Sequence, residues 1–363
     1  MPMADHPVVV IENDQSLRLL QAFLDPDPHS ERSAALADYL AHDLPDFAGW
    51  LAGARDRARG AYPAEVRMVN TQAELLSALP GADAFVTEGL AVGPAELAAA
   101  DRLKAVQKHG VILRNIDLSA CAARGVQVLP LRRRGNMTAA EHIFSLMLGL
   151  SRKLTKLNGL ITTERLTAAG YHPKFFDKRY SPNANWARIG GLRCLHHATL
   201  GIVGLGEIGR EVAVRGVVFG MRVRYFQRTR LPEAEERALG IEYRTFDALL
   251  AESDWVCCLV PGEPATKGLF DGARLGKMKP GACLVNVSRA DVVERAAAVA
   301  ALKSGRLGGL GQDAFYEEPG RAEDPLLAFD NVIITPRIAS QPRTNALDDT
   351  EEMMVNLARA LAG

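Results

Sequence analysis

Ala198-Thr-Leu-Gly-Ile-Val-Gly-Leu-Gly-Glu-Ile-Gly-Arg210 decides the fold. It opens with an apolar run of strand type, Leu200 to Val203, and then places three glycines, Gly204, Gly206 and Gly209, at the spacing G-x-G-x-x-G. Glu207 to Phe219 follows as a helix-like segment, with apolar residues at Ile208, Val212 and Phe219, and Met221 to Phe226 reads as a second strand. In a strand–turn–helix–strand setting each glycine has a task. The first permits the tight turn, the second lets the backbone approach a pyrophosphate, and the third lets the helix pack close to the strand. The helix start then offers unbonded N–H groups and a positive dipole end to phosphates. The reading expects Gly204, Gly206, Glu207 and Ile208 to cradle a dinucleotide.

Working outward, 363 residues favour two domains with ample buried core. Apolar residues make up 48%, charged residues 24%, and formal net charge is zero, so no global nucleic-acid or membrane field is expected. The cysteines, Cys121, Cys194, Cys257, Cys258 and Cys283, are odd in number and scattered, which fits a reducing compartment better than a disulfide framework. The start Met-Pro-Met-Ala-Asp-His lacks a signal-peptide pattern, and no apolar run reaches the ~18 residues of a membrane span. A cytoplasmic location is expected.

Upstream of the glycine turn, strands and helices alternate, which implies a parallel sheet with helices on both faces. Strands are expected at Pro7–Glu12, Val66–Asn70, Ala82–Thr87, Leu103–Lys108 and Val126–Leu129. Helices are expected at Asp14–Leu24, Thr71–Leu79 (with Thr71 as N-cap) and Pro94–Ala100, with another opening at Arg114–Leu118. Residues 25–64 carry Pro26, Pro28, Pro45 and Pro63 around a helical Ser33–Ala41, and read as a surface insertion. Met137 to Leu154 is a long helix containing Ala140-Glu-His142. Residues 157–191 form an aromatic, loop-rich stretch that reads as a dimer arm or interdomain packing. Downstream strands are expected at Ser253–Val260, Cys283–Val287, Gly308–Asp313 and Asn331–Thr335, with helices at Leu231–Gly240, Val292–Ser304 and Thr344–Leu361.

Several stretches, in order, then carry a resemblance. They are Lys108-His-Gly-Val111 with Asn115-Ile-Asp-Leu118, Ala140-Glu-His142, the glycine triad and Met278-Lys-Pro-Gly281. Asn286-Val-Ser-Arg289, Asp313-Ala-Phe315 with Glu317-Glu-Pro319, and Thr335-Pro336 complete the set. From about Leu103 onward the chain resembles the D-isomer-specific 2-hydroxyacid dehydrogenases, the group that includes phosphoglycerate, glyoxylate, formate and phosphite dehydrogenases. The resemblance implies an α/β fold in which a Rossmann NAD(P)-binding domain, residues 136–337, is inserted into a flavodoxin-like α/β substrate domain formed by 1–135 and 338–363. It also implies a site in the cleft between the domains and a homodimer.

By the same resemblance, Arg289 holds the substrate's carboxylate and carbonyl oxygen, a task suited to a planar guanidinium fork. Glu318 is the family's glutamate that pairs with a histidine proton carrier, and Asp313 touches the nicotinamide carboxamide. The histidine expected after Thr335-Pro336 is Arg337 here. Arginine stays protonated and cannot shuttle a proton, so an ion pair between Glu318 and Arg337 is expected instead. The substrate loop also departs: Ile112 stands for a glycine, Arg114 for an acid, and Ala290 for the glycine after the arginine. Lys108, His109, Val111, Ile112 and Arg134 are the candidate substrate residues. Arg132 to Arg134 reads equally as a cleft lining for a substrate with more than one acidic group and as a solvated loop. Val260, Pro261, Thr266, Val287 and Ser288 complete the candidate cofactor set.

Cofactor choice rests on Gln227, Arg228, Thr229 and Arg230. Where NAD sites usually carry an acid at the end of the second strand, this chain has a neutral residue and two arginines, which leans the reading from NAD towards NADP. His109, Lys108 and Tyr316 are the nearest alternatives for a proton source, and Cys194, His196 and His197 lack the partner set of a metal site. The leading expectation is an NAD(P)-dependent oxidoreductase acting on a small anion. Its rivals are a redox-neutral enzyme, a lyase or hydrolase, with bound NAD(P), and a non-catalytic dinucleotide-responsive protein.

Overall fold

The computed structural model describes residues 6–27 and 29–363; Pro28 of the proline-rich stretch lies outside the described residues. The chain divides into two compact units, Met1–Thr138 with Ser340–Gly363, and Ala139–Ala339.

The first unit is built on five parallel strands: β1 (Val8–Glu12), β2 (Glu65–Val69), β3 (Ala84–Thr87), β4 (Ala105–Lys108) and β5 (Gln127–Pro130). Their order is β2-β1-β3-β4-β5, the flavodoxin-like order, with Val9 opposite Val66 on one side and Ala84 on the other. Thr71 caps the helix Gln72–Ala78 by accepting from the Glu74 N–H, as its position suggests. The helix opening near Arg114 starts later, at Leu118, because Asp117 accepts from the Ala120 N–H and sets the cap there.

Residues 25–64 are not a surface insertion. They form two helices, Glu31–Leu40 and Phe47–Arg57, and the second went unread in the sequence. Leu40, Phe47, Leu51 and Ala54 are buried in one cluster with Phe23 and Leu24, and with Met353, Met354 and Leu357 of the C-terminal helix Thr344–Ala362. Trp50 meets the Phe23 ring edge-on at 4.8 Å. Buried Arg55 donates from Nε and Nη2 to the carbonyls of Phe23, Ala22 and Asp25. It thereby closes the C-terminal carbonyls of the helix Arg18–Leu24, which have no partner within that helix.

The second unit carries seven parallel strands: β6 (Thr199–Val203), β7 (Arg222–Phe226), β8 (Glu242–Tyr243), β9 (Trp255–Cys258), β10 (Ala282–Asn286), β11 (Leu307–Gln312) and β12 (Val332–Ile334). The order β12-β11-β10-β9-β6-β7-β8 is doubly wound about β6, with the chain reversing direction across the sheet between β6 and β9. β6, β9 and β10 are buried along their whole length, as fits strands covered on both faces. The helices Phe246–Glu252 and Gly272–Lys277, absent from the sequence reading, supply Leu249, Leu250 and Leu275 to the core on one face. Cys257, Cys258 and Cys283 are buried thiols and Cys194 is exposed. Among the described residues no helix is long and apolar enough to cross a membrane.

Candidate functional site

The glycine turn sits where β6 ends. Gly204 has φ +97°, and a Cβ there would lie 2.6 Å from the Leu259 carbonyl oxygen. Gly209 lies in the helix Glu207–Val218, where a Cβ would stand 2.4 Å from the Gly204 carbonyl oxygen, so helix and strand are in backbone contact. Gly206 differs from both. It is the N-cap of that helix, and a Cβ on it would meet nothing within 4 Å. Two glycines close the turn and the middle one faces open space before a helix start, an arrangement that fits a dinucleotide's pyrophosphate. Glu207 and Ile208 form the first helical turn, and Ile208 packs its side chain against the core.

The C-terminal ends of β9 and β10 build the adjoining loops. Thr266 donates its hydroxyl to the Pro261 carbonyl at 2.6 Å and fixes the turn that follows Val260. Asn286, fully buried, donates to the Arg289 carbonyl at 2.8 Å and accepts from the Ser288 N–H at 3.0 Å. Ser288 Oγ donates to the Cys258 carbonyl at 3.0 Å, and Val287 packs on the core. One buried amide therefore sets the loop that presents the exposed Arg289 side chain. In the sequence Asn286 stands only within the Asn286-Val-Ser-Arg289 motif; a lone polar residue ending an apolar strand is the signal of its role.

Beyond β11, Asp313 is 5% exposed and gathers three donors. Thr335 Oγ1 and the Ile338 N–H reach Oδ1 at 2.6 and 3.0 Å, and the Ala339 N–H reaches Oδ2 at 2.8 Å. Because the Thr335 hydroxyl donates to Asp313, its oxygen is left to accept from His142 Nε2 at 2.8 Å. His142, from the Ala140-Glu-His142 stretch of the long helix, therefore belongs to this network. The network clamps the loop bearing Arg337, whose backbone has φ +55°. Arg337 Nη1 donates to Glu318 Oε2 at 2.8 Å, with both side chains about half exposed. Tyr316 is spoken for: its hydroxyl donates to the Val293 carbonyl at 2.8 Å, and burial pushes its pKa far up. It is no proton carrier near neutral pH.

At the end of β7, Gln227 Nε2 donates to the Thr229 carbonyl at 2.6 Å, and Arg228 and Thr229 are exposed. Arg230 does not project freely, as its reading with Arg228 supposed. It forms a two-point ion pair with Glu236.

In the first unit, Glu12 Oε2 at the end of β1 accepts from the Thr87 hydroxyl and from the N–H groups of Glu88, Gly89 and Leu90. The Lys108 ammonium donates to the Glu88 carbonyl. His109 is 5% exposed, and its Nδ1 has no hydrogen-bond partner. Burial, reinforced by Arg133, drives its pKa down to about 3, so it is a neutral imidazole at pH 7. Val111 is exposed and Ile112 half-buried in the turn after β4. Arg134 is tied to the C-terminal helix, through Asp349 at 2.8 Å and Glu352 at 2.9 Å. A guanidinium so held braces the first unit against its C-terminal helix.

The chain belongs to the D-isomer specific 2-hydroxyacid dehydrogenases: the model of that family's NAD binding domain matches residues 144–339, inside the second unit. The family comprises NAD-dependent oxidoreductases acting on CH–OH groups. The chain is 37% identical over 243 residues to glyoxylate reductase of Pyrococcus furiosus, covering 66% of this chain and 68% of that one. It is 32% identical over 295 residues to glyoxylate/hydroxypyruvate reductase B of Yersinia enterocolitica, covering 81% and 85%. With D-3-phosphoglycerate dehydrogenase of Mycobacterium leprae it shares 34% identity over 280 residues, 76% of this chain and 49% of that one. D-mandelate dehydrogenase of Rhodotorula graminis shares the fold, with a TM-score of 0.55 at 23% identity over 97% of this chain and 93% of that one. The expected fold class, parallel α/β with a Rossmann unit, holds.

Proposed function

We propose that the chain is an NAD(P)-dependent oxidoreductase acting on a small organic anion of the 2-hydroxy or 2-oxo acid kind, through an altered acid–base site. The observation that carries this reading is Arg289, exposed on a loop set by buried Asn286, in the same sheet as a glycine turn whose middle residue faces open space. Arg289 anchors the substrate carboxylate through its planar fork. Gly204, Gly206, Glu207 and Ile208 hold the pyrophosphate, and Val260, Pro261, Thr266, Val287 and Ser288 serve the rest of the cofactor. The nicotinamide, when bound, supplies or accepts the hydride. Neutral Gln227 and exposed Arg228 support a lean towards NADP. Lys108, His109, Val111 and Ile112 serve substrate recognition in the first unit.

Arg337 is a fixed cation paired with Glu318, and it neutralises negative charge on the reacting oxygen or on a second acid group of the substrate. Water supplies the proton, at a cost of ~10²–10⁴ in rate relative to a positioned carrier. Oxidation of NADH and NADPH against a panel of 2-oxo acids tests this, with native protein and Arg337→His. The histidine variant is expected to be faster on simple 2-oxo acids by about 10². Rapid native turnover with no gain for the variant overturns the reading of Arg337.

The same ion pair favours a second reading, in which the dinucleotide is held and no net redox chemistry occurs. Tight nucleotide binding without turnover of any anion, or turnover without change in nicotinamide absorbance, would select it. A homodimer is part of the proposal, supported by exposed Ile161 and Tyr180 and by Phe175 stacked on Trp186 at 4.8 Å; light scattering tests it.

A further inference from the structure

The loop after β7 carries two arginines two residues apart, and the structure engages them differently. Arg228 is exposed on the loop. Arg230 donates from Nε and Nη2 to the two carboxylate oxygens of Glu236, each at 2.8 Å, and its guanidinium lies 5.6 Å from the centre of the Tyr243 ring. Glu236 sits on the helix Glu233–Leu239 and is 7% exposed. It also accepts from the Tyr225 hydroxyl at 2.7 Å, and that hydroxyl accepts from the Leu231 N–H at 2.8 Å. Arg230 and Tyr225 together hold the Glu236 carboxyl down at about 2, so its charge persists throughout the physiological range. The Nε and Nη2 edge of the Arg230 fork, one of the two edges with which a guanidinium grips a phosphate in two places, is filled, and the carboxylate beside it offsets the positive charge.

The end of the second strand is where a Rossmann unit reads the adenosine ribose, and a nearby arginine can accommodate a 2′-phosphate there. We infer that Glu236 withholds Arg230 from the 2′-phosphate of NADPH, so that a buried positioning residue sets the balance between NADPH and NADH and Arg228 alone favours the phosphorylated form. This rests on the dinucleotide reading proposed above.

Nicotinamide fluorescence titrations with NADH and with NADPH test it without any substrate. Glu236→Gln keeps an acceptor for Tyr225 and removes the charge that holds Arg230. It should raise affinity for NADPH relative to NADH by about tenfold, the scale of one charge-assisted contact. Adding Arg230→Gln to that variant should return the ratio to the native value, because the gain runs through Arg230. Arg228→Gln should weaken NADPH by about tenfold and leave NADH within about twofold. The apolar pair Arg230→Met with Glu236→Met covers the case in which Glu236→Gln does not fold; it should show the native ratio. A tenfold loss of NADPH affinity in that pair would mean Arg230 already grips the phosphate, and would overturn the inference. So would a folded Glu236→Gln variant whose ratio stays native, or a gain that survives loss of Arg230. Binding of neither nucleotide by native protein would instead remove the dinucleotide reading itself, and the inference with it.

Discussion

Replacing Gly206 by alanine separates binding from folding, because its neighbours in the turn answer differently. Gly206 has φ −75° and ψ −159°, which alanine adopts freely, and the new Cβ meets nothing within 4 Å. Loss of chain entropy in the unfolded state favours the variant by about 0.4–1 kcal/mol. Alanine's poorer N-cap character takes back a similar amount. Stability should therefore stay within about 1 kcal/mol of native. Gly204→Ala is the contrast. Its φ of +97° is strained for alanine, and the Cβ would stand 2.6 and 2.8 Å from the Leu259 carbonyl oxygen and carbon, backbone atoms that no rotamer change can move. Strain of about 1–2 kcal/mol and overpacking of about 1–3 kcal/mol give roughly 2–5 kcal/mol, a fall in Tm on the order of 10 °C. The Gly206 methyl occupies space that a pyrophosphate needs, so nucleotide affinity should fall at least about tenfold, or about 1.4 kcal/mol. Thermal unfolding and nucleotide titration on both variants check the pair. Native affinity in a folded Gly206→Ala protein would refute the placement of phosphates against residue 206.

Arg289→Gln should raise KM for any anionic substrate about tenfold or more while nucleotide affinity stays native, since the planar charged fork is lost and the loop's own clamp, Asn286, is kept; steady-state kinetics beside nucleotide titration checks it. Leu51→Ala should lower stability by about 2–5 kcal/mol in urea unfolding, because Leu51 is 3% exposed in the first unit's core; a loss under about 0.5 kcal/mol would restore the picture of a surface insertion. His109 is held neutral in the fold, with its pKa lowered from 6.5 to about 3, so the unfolded chain takes up the proton first. Its contribution to stability is therefore whole above about pH 6.5 and is lost as pH falls towards 3, at up to about 1.4 kcal/mol per pH unit. His109→Gln should flatten the decline in melting temperature between pH 7 and pH 5.

The parts of the fold written in local pattern were legible. The glycine triad, the apolar runs of β6 and β9, and the Thr71 cap each declare themselves through a few neighbouring residues. The helix Phe47–Arg57 did not. Its buried positions Phe47, Leu51 and Ala54 are interspersed with Gly49 and Gly53 and followed by the charged run Arg55 to Arg57, and its partners, Phe23 and the C-terminal helix, lie far away in sequence. The site divides in the same way. Arg337, where the resemblance implies a histidine, could be read from one position, and it donates to Glu318 at 2.8 Å. Arg134 with Asp349 spans 215 residues, and no spacing rule connects them. The Glu236 contact with Arg230 spans only six residues, yet reading it needed the burial of Tyr225, which only packing reveals.

Asp313 grips its loop through the Thr335 hydroxyl and the amides of Ile338 and Ala339, and it makes no hydrogen bond to the Arg337 side chain. The socket is thus held through its frame and not through the side chain mounted in it. What the socket does impose is backbone handedness: at φ +55°, histidine and asparagine sit comfortably, whereas valine, isoleucine or threonine would be rejected by their own branching. Substitutions at residue 337 are therefore expected to leave the fold intact when the side chain is unbranched at Cβ, and to strain it when it is branched.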